Sequence, residues 1–332
     1  MAGPSAVLAP ARRSLFYVNM MIKEPRRSAF LVSGMHRSGT SAFAGTLSCL
    51  GLSVPADLMA ANPANPNGYY ESGKLASLHN WALREAGSRW DDWSPIAPAW
   101  FNEPAAHKHV SEIVRFLDSH FAHAGSFVVK DPRICRLMPL WRRALTSIDA
   151  RIHVVIPLRH PGPVARSLRA RDGLLAGESH LLWLRHLLDA EATTRDLPRV
   201  FVPYDALLAD WRSAVHAMAV RLQYRWPRLA EQAAPDINQF LDPKLCHHQS
   251  ANRDPGEGDR RADLAQRGWE LFSRLASRPE PAITAELDSL RAELDRIPCA
   301  HRLPLGIGTA AGHLVHMISR LGSRLATGQR LR

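Results

Sequence analysis

The segment Gly34-Met-His-Arg-Ser-Gly-Thr-Ser41 constrains the fold more than any other part of the chain. It follows a short apolar run, Ala29-Phe-Leu-Val-Ser33, and precedes a helical pattern that reaches about Leu50. A glycine turn between a strand and a helix is a phosphate cradle. Its glycines let the backbone come close, and the free N–H groups of the helix N-terminus attract an anion. The spacing nearly matches G-x-x-x-x-G-K-S/T, whose lysine reaches the β- and γ-phosphates of a triphosphate. Here Thr40 stands at the lysine position, and the cation, Arg37, comes earlier. That argues against cleavage of ATP or GTP. It suits a shorter anion at the 5′ end of a nucleotide, gripped by Arg37, by the hydroxyls of Ser38, Thr40 and Ser41, and by backbone amides around Gly39. His36, inside the turn, counts among the nucleotide-binding residues, or else packs or hydrogen-bonds locally.

Three further β-branched runs follow at helix-length intervals: Phe127-Val-Val-Lys130, Arg151 to Leu158, and Arg199-Val-Phe-Val202. Near-continuous apolar strands separated by helices indicate a parallel sheet covered on both faces. The expected architecture is a doubly wound α/β domain over residues 29–250, preceded by a loose leader at 1–28. Residues 251–332 read as a linker and a helical C-terminal extension. Within that extension Ile283, Leu287, Leu290, Leu294 and Ile297 keep the 3/4 step of an amphipathic helix, with a short coiled coil as one outcome. Near the end, Leu314, Met317, Ile318, Leu321 and Leu325 form an apolar stripe beside Arg320, Arg324, Arg330 and Arg332. That pattern fits a basic helix lying on an anionic membrane, or an ordinary packed or dimerising helix.

Composition narrows the function classes. No run approaches the roughly 18 to 20 apolar residues of a membrane-spanning helix, and the N-terminal stretch lacks the layout of a secretory signal. Four cysteines without metal-type spacing fit a reducing cytoplasm. Forty-two Lys and Arg against 31 Asp and Glu give a net charge of +11, which favours an anionic partner. The basic residues form no nucleic-acid tail, so nucleic acid is not the expected partner. The Cys246-His247-His248 run lacks companions at ligand spacing, and no metal is expected.

Against this background, HRSGTS after a strand resembles the 5′-phosphosulfate loop of the sulfotransferases that use 3′-phosphoadenosine 5′-phosphosulfate (PAPS). The second half of that family's signature is a strand ending in Arg, followed by a helix bearing a Ser. It is matched by Leu158-Arg-His-Pro-Gly-Pro-Val-Ala-Arg-Ser-Leu168, with Arg171 one helical turn beyond Ser167. The resemblance implies that Arg159, Ser167 and Arg171 hold the 3′-phosphate. Val129-Lys-Asp-Pro-Arg133 resembles the Lys-Asp-Pro segment of protein-tyrosine and bacterial members, which implies that Lys130 touches the transferring sulfuryl group, with Asp131 and Arg133 as positioning residues. Tyr204 resembles the strand-end tyrosine near the nucleotide, and Asn65-Pro-Asn-Gly-Tyr-Tyr-Glu71 the acceptor-side loop. The likeness covers roughly residues 29–250. It departs in lacking the late Arg-Lys-Gly loop, for which Lys244, His247 or His248 are substitutes.

The resemblance implies in-line sulfuryl transfer without a metal, in which Arg37 and Lys130 neutralise charge and a base takes the acceptor proton. Glu71 is the expected base and His79 the competing one. The acceptor is expected to be a hydroxyl or amine of a carbohydrate, glycolipid or secondary metabolite, with Trp81, Trp90, Trp93 and Trp100 clustered on its side. A nucleotide-binding protein without turnover and a small-molecule kinase remain as different readings. High Ala and Arg usage is compatible with a bacterial source, and the expected location is the cytoplasm, with peripheral membrane contact through the last helix. All of this requires the turn at 34–41 and the Arg159–Ser167 pair to face one groove.

Overall fold

The computed structural model describes residues 27–61, 68–241, 259–278 and 281–299. Four strands form one sheet: β1 (Arg27–Val32), β2 (Ser126–Lys130), β3 (Ala150–Leu158) and β4 (Arg199–Pro203). Their order is β2-β1-β3-β4, and every pairing is parallel. Arg27 and Ser28, expected in the leader, belong to β1. The helices in chain order are α1 (Thr40–Cys49), α2 (Gly73–Glu85), α3 (Pro104–Phe121), α4 (Ile134–Ser147), α5 (Pro161–Asp172), α6 (Ala176–Ala192), α7 (Tyr204–Ala209), α8 (Trp211–Leu222), α9 (Ala230–Phe240), α10 (Arg260–Ser277) and α11 (Pro281–Asp295).

The sheet is buried on both faces, as its unbroken apolar strands require. Alternation along β1 divides its side chains: Phe30 and Val32 enter a core with α1, α7, α8 and α9, whereas Ala29 and Leu31 enter a larger core under α2 to α6. The expected doubly wound α/β layout is therefore present.

The chain leaves β1 towards β2 and leaves β3 towards β4. The winding direction thus reverses between the C-terminal ends of β1 and β3. In open α/β sheets that crevice is where ligands collect.

The expected helical extension is present as α10 and α11, the second carrying the expected amphipathic stripe, but it does not stand apart. Ile283, Leu287, Leu290 and Leu294 are fully buried in the same core as α6 and the sheet. α10 lies against β4 and α6. A buried charge cluster ties this layer down. Asp189 of α6 receives Arg136 of α4 at 2.7 Å, Arg185 at 3.3 Å and Arg291 of α11 at 2.7 Å. Burial alone would raise the Asp189 pKa, and Arg185, Arg136 and Arg291 reverse that and hold it below the usual carboxylate range. Arg136 also donates to the carbonyls of Asp92 and Ser94, and Arg185 to that of Trp93, which fixes the 92–94 segment.

Several expectations fall outside the described residues: the substitutes Lys244, His247 and His248, the Cys246 run, most of the 249–259 linker, residues 65–67, and the basic stripe from Leu314 onward. Among the described residues no helix is long and apolar enough to cross a membrane.

Candidate active site

The phosphate turn begins where β1 ends. Ser33 N–H still donates to Val155 of β3 at 2.9 Å, after which the chain turns away at Gly34. A Cβ there would stand 3.1 Å from Pro157 and 3.2 Å from Thr40, so the backbone lies tight against the end of β3. Arg37 and Gly39 both take positive φ, 66° and 82°. Gly39 is required twice over: its conformation is left-handed, and a Cβ would lie 2.1 Å from the Tyr204 ring. No side chain caps α1, so the leading N–H groups of the helix look into the turn. Ser38 Oγ is fully buried there without a hydrogen-bond partner among the described residues. Together they form a cradle for anionic oxygens.

The two anion clusters meet. Arg37 Nε donates to Ser167 Oγ on α5 at 2.6 Å, and Arg159 Nη1 donates to the Arg37 carbonyl at 2.9 Å. The Arg159 guanidinium stands 5.0 Å over the Tyr204 ring. Trp183 Nε1 donates to the Arg159 carbonyl at 3.0 Å, and its ring stands edge-on to Phe272 of α10. Arg37, Gly39, Arg159, Ser167 and Tyr204 are thus drawn to one groove at the reversal point of the sheet. Burial, then the charges of Arg171 and Arg159, lower the pKa of Arg37, an electrostatic stress that an anion relieves. Arg171 does not join the cluster by hydrogen bond. Its Nε pairs with Asp172 at 2.7 Å, and its guanidinium lies 5.8 Å over Trp90.

On the other side of the turn, β2 ends at Lys130. Its ammonium donates to Glu71 Oε1, to the Tyr69 carbonyl at 3.0 Å and to Ser41 Oγ at 3.4 Å. Both partners of this ion pair are almost fully buried. Ser41 in turn donates to Tyr69 O at 3.0 Å, so Lys130 joins the phosphate turn to Glu71. Glu71 directly precedes Ser72, which caps α2 through Leu75 N at 3.1 Å, and the positive end of that helix favours a carboxylate.

Behind this pair runs a buried polar chain. Asp131 Oδ1 accepts from Arg133 Nη1 at 3.0 Å and from the Arg133 N–H at 2.8 Å. Arg133 Nε donates to Asn80 Oδ1 at 2.7 Å, and its Nη1 lies 3.9 Å from Glu71 Oε2. His79, 1% exposed, has Nδ1 3.2 Å from Asp131 Oδ2 and accepts from Trp141 Nε1 at 2.9 Å. Its Nε2 is therefore committed to Trp141, and its Nδ1 lies on the Asp131 side, within 3.2 Å but outside hydrogen-bond geometry.

His36 is buried below the turn, with Trp90 edge-on at 5.1 Å and His186 at 6.4 Å. Burial, then Arg133, Arg171 and His186, push its pKa well below the usual imidazole range, partly opposed by Asp131. Its ring is neutral at pH 7. Of the four clustered tryptophans, Trp90 meets the turn, Trp93 and Trp100 are buried in the core, and Trp81 carries Lys108 at 4.5 Å. Asn80, Trp141 and Trp183 support the site without any motif that marks them in the sequence.

No protein-family model matches the chain, and no curated protein matches it in sequence. Three solved structures are distantly similar. They are the sulfotransferase domain of the Synechococcus PCC 7002 olefin synthase (15% identity, 83% of this chain and 97% of that one, TM-score 0.41), a sulfotransferase from Mycobacterium tuberculosis H37Rv (14%, 74% and 76%, TM-score 0.37) and the sulfotransferase domain from the curacin biosynthetic pathway (14%, 89% and 97%, TM-score 0.35). At that distance the likeness does not bear on what the site does.

Proposed function

We propose that this protein is a sulfotransferase that moves the sulfuryl group of PAPS to an acceptor hydroxyl, with Glu71 as the base. The observation that carries this reading is the pair of hydrogen bonds from Arg37 to Ser167 and from Arg159 to the Arg37 carbonyl. They unite a 5′-type phosphate turn and a second cationic cluster in one groove, as a nucleotide charged at both its 5′ and 3′ ends requires. Buried Ser38 Oγ, the uncapped N-terminus of α1 and the converging arginine charges fit such a ligand.

PAPS supplies the sulfuryl group, and adenosine 3′,5′-bisphosphate departs. Arg37, the α1 amides and the hydroxyls of Ser38, Thr40 and Ser41 hold the 5′ oxygens. Arg159 and Ser167 hold the 3′-phosphate, with Tyr204 packed against the turn. Lys130 balances negative charge between the turn and Glu71. Glu71 takes the acceptor proton. Glu71 is preferred to His79 as the base in this reading, because the Nε2 lone pair of His79 accepts from the Trp141 indole. Trp90, beside His36, supports a ring-bearing acceptor of the carbohydrate class. The absence of a lysine at Thr40 argues against a kinase.

Calorimetry with adenosine 3′,5′-bisphosphate and with ATP tests the nucleotide. Tight binding of ATP alone would sink the reading. Turnover of labelled PAPS separates an enzyme from a passive binder, since a binder holds the bisphosphate and releases no sulfate.

A further inference from the structure

We infer that the buried His79 is a positioning residue, acting through Asp131 and Arg133 to fix the carboxylate of Glu71; this rests on the reading of Glu71 as the base. The direction of the Trp141 hydrogen bond, and with it the tautomer of His79, follows from the chemistry of the groups. An indole N–H only donates, so His79 Nε2, 2.9 Å from Trp141 Nε1, must be the unprotonated nitrogen. The proton therefore sits on Nδ1, which faces Asp131 Oδ2 at 3.2 Å as an electrostatic contact outside hydrogen-bond geometry. Asp131 is 1% exposed and stays ionised because of its partners. Burial opposes the charge, and Arg133 followed by His79 overcomes it.

The two carboxyl oxygens of Asp131 hold Arg133 Nη1 at 3.0 and 3.2 Å, while Asn80 holds Nε at 2.7 Å. A guanidinium fixed at two of its nitrogens cannot pivot. It is thereby kept 3.9 Å from Glu71 Oε2, near enough to orient that oxygen and too far to capture it by a direct hydrogen bond. Lys130 takes the other oxygen, Oε1. The charged groups facing Glu71 are therefore Lys130 from β2 and Arg133 from the turn after it, with Asp131 restraining Arg133. His79 and Asn80 are neighbours on α2, whose N-terminal end carries Glu71. One helix thus presents the base and, two turns later, both groups that set its counter-cation.

The test uses two substitutions that each keep half of the imidazole. Asn in His79→Asn offers an N–H near the Nδ1 position and nothing to Trp141. Gln in His79→Gln reaches the Nε2 position and loses the N–H that faces Asp131. The probe reaction is PAPS hydrolysis, with water in the acceptor's place. The bond from sulfur to the bridging oxygen breaks, a water oxygen bonds to sulfur, and the water proton passes to Glu71. Positioning through Asp131 predicts that His79→Asn keeps kcat within about threefold of the wild type. His79→Gln then loses roughly tenfold or more in kcat, at unchanged KM for PAPS and unchanged affinity for adenosine 3′,5′-bisphosphate. Equal losses in both variants, or a loss confined to KM, overturn the inference. A second measurement is independent of turnover: nitrogen-15 spectra of the ligand-free protein at pH 8 must show His79 as the Nδ1–H tautomer. An Nε2–H tautomer overturns the inference even if PAPS is turned over, whereas an Nδ1–H tautomer in a protein that ignores PAPS supports the geometry and sinks only the proposed function.

Discussion

Arg159 donates from Nη1 to the main-chain carbonyl of Arg37 at 2.9 Å, so the end of β3 holds the shape of the turn that follows β1. Arg37 sits at φ 66°, a conformation that costs a non-glycine residue on the order of 1 kcal/mol or more. Replacing Arg159 with Ala removes both that restraint and the guanidinium over Tyr204. The affinity for adenosine 3′,5′-bisphosphate is expected to fall at least about tenfold, read by calorimetry, and Arg159→Lys is not expected to restore it, because an ammonium lacks the planar fork. An unchanged Kd in Arg159→Ala would separate this cluster from the nucleotide.

Glu71→Gln removes the base and keeps its shape. Turnover of PAPS should fall by roughly 10²- to 10⁴-fold, the usual range for a general base, with the bisphosphate Kd moved by no more than a few-fold. A parallel loss of binding and turnover would reassign Glu71 as a nucleotide-side residue.

Gly39 is where the turn is least tolerant. Gly39→Ala puts a methyl into the ring of Tyr204, 2.1 Å away, on a backbone at φ 82°. Destabilisation of about 1–3 kcal/mol and loss of bisphosphate binding are expected, measured by urea unfolding and calorimetry. A variant that binds normally would show that the Tyr204 contact does not shape the cradle.

Acid sensitivity has a source remote from the groove. His153 of β3 is fully buried and stacks on Phe30 at 4.6 Å and 8°. Burial, then Arg151, push its pKa to about 4, partly opposed by a backbone hydrogen bond at Leu222. In the unfolded chain the imidazole takes its proton near the ordinary value of about 6.5. The stability from burying the neutral ring is therefore complete above that value and is lost as pH falls towards 4, on the order of 3 kcal/mol in all. His153→Phe keeps the stack and removes the proton. Its urea midpoint should fall less steeply between pH 6.5 and 4 than that of the wild type. Parallel curves would place the acid loss elsewhere, His186 being the next group to examine, with its pKa also pushed to about 4 by burial and Arg136.

The sheet was legible because its four strands are short apolar runs ended by Gly, Pro or Arg, and the turn was legible because Gly34 and Gly39 stand at fixed spacing between a strand and a helix. Arg159 and Ser167 could be placed because both follow the same strand. Side-chain direction was not legible. Nothing in the spacing of Arg171 reveals that Asp172, the next residue, captures its guanidinium. The two candidate bases, Glu71 and His79, differ only through Trp141, a tryptophan 62 residues beyond His79 that meets it across the core. α11 was read as an amphipathic helix, but a stripe of Leu and Ile does not say which surface it covers. That surface is α6, where Arg185 pairs with Asp295 and Asp189 with Arg291 of α11.

The indole of Trp183 holds the carbonyl of Arg159 and rests against Phe272 of α10, far along the chain. The main-chain position of Arg159, and with it the proposed grip on the 3′ end of the nucleotide, thus leans on a buttress from α10. A polypeptide shortened ahead of residue 259 would keep the turn, Arg159 and Ser167 and yet lack the ring that backs the indole of Trp183.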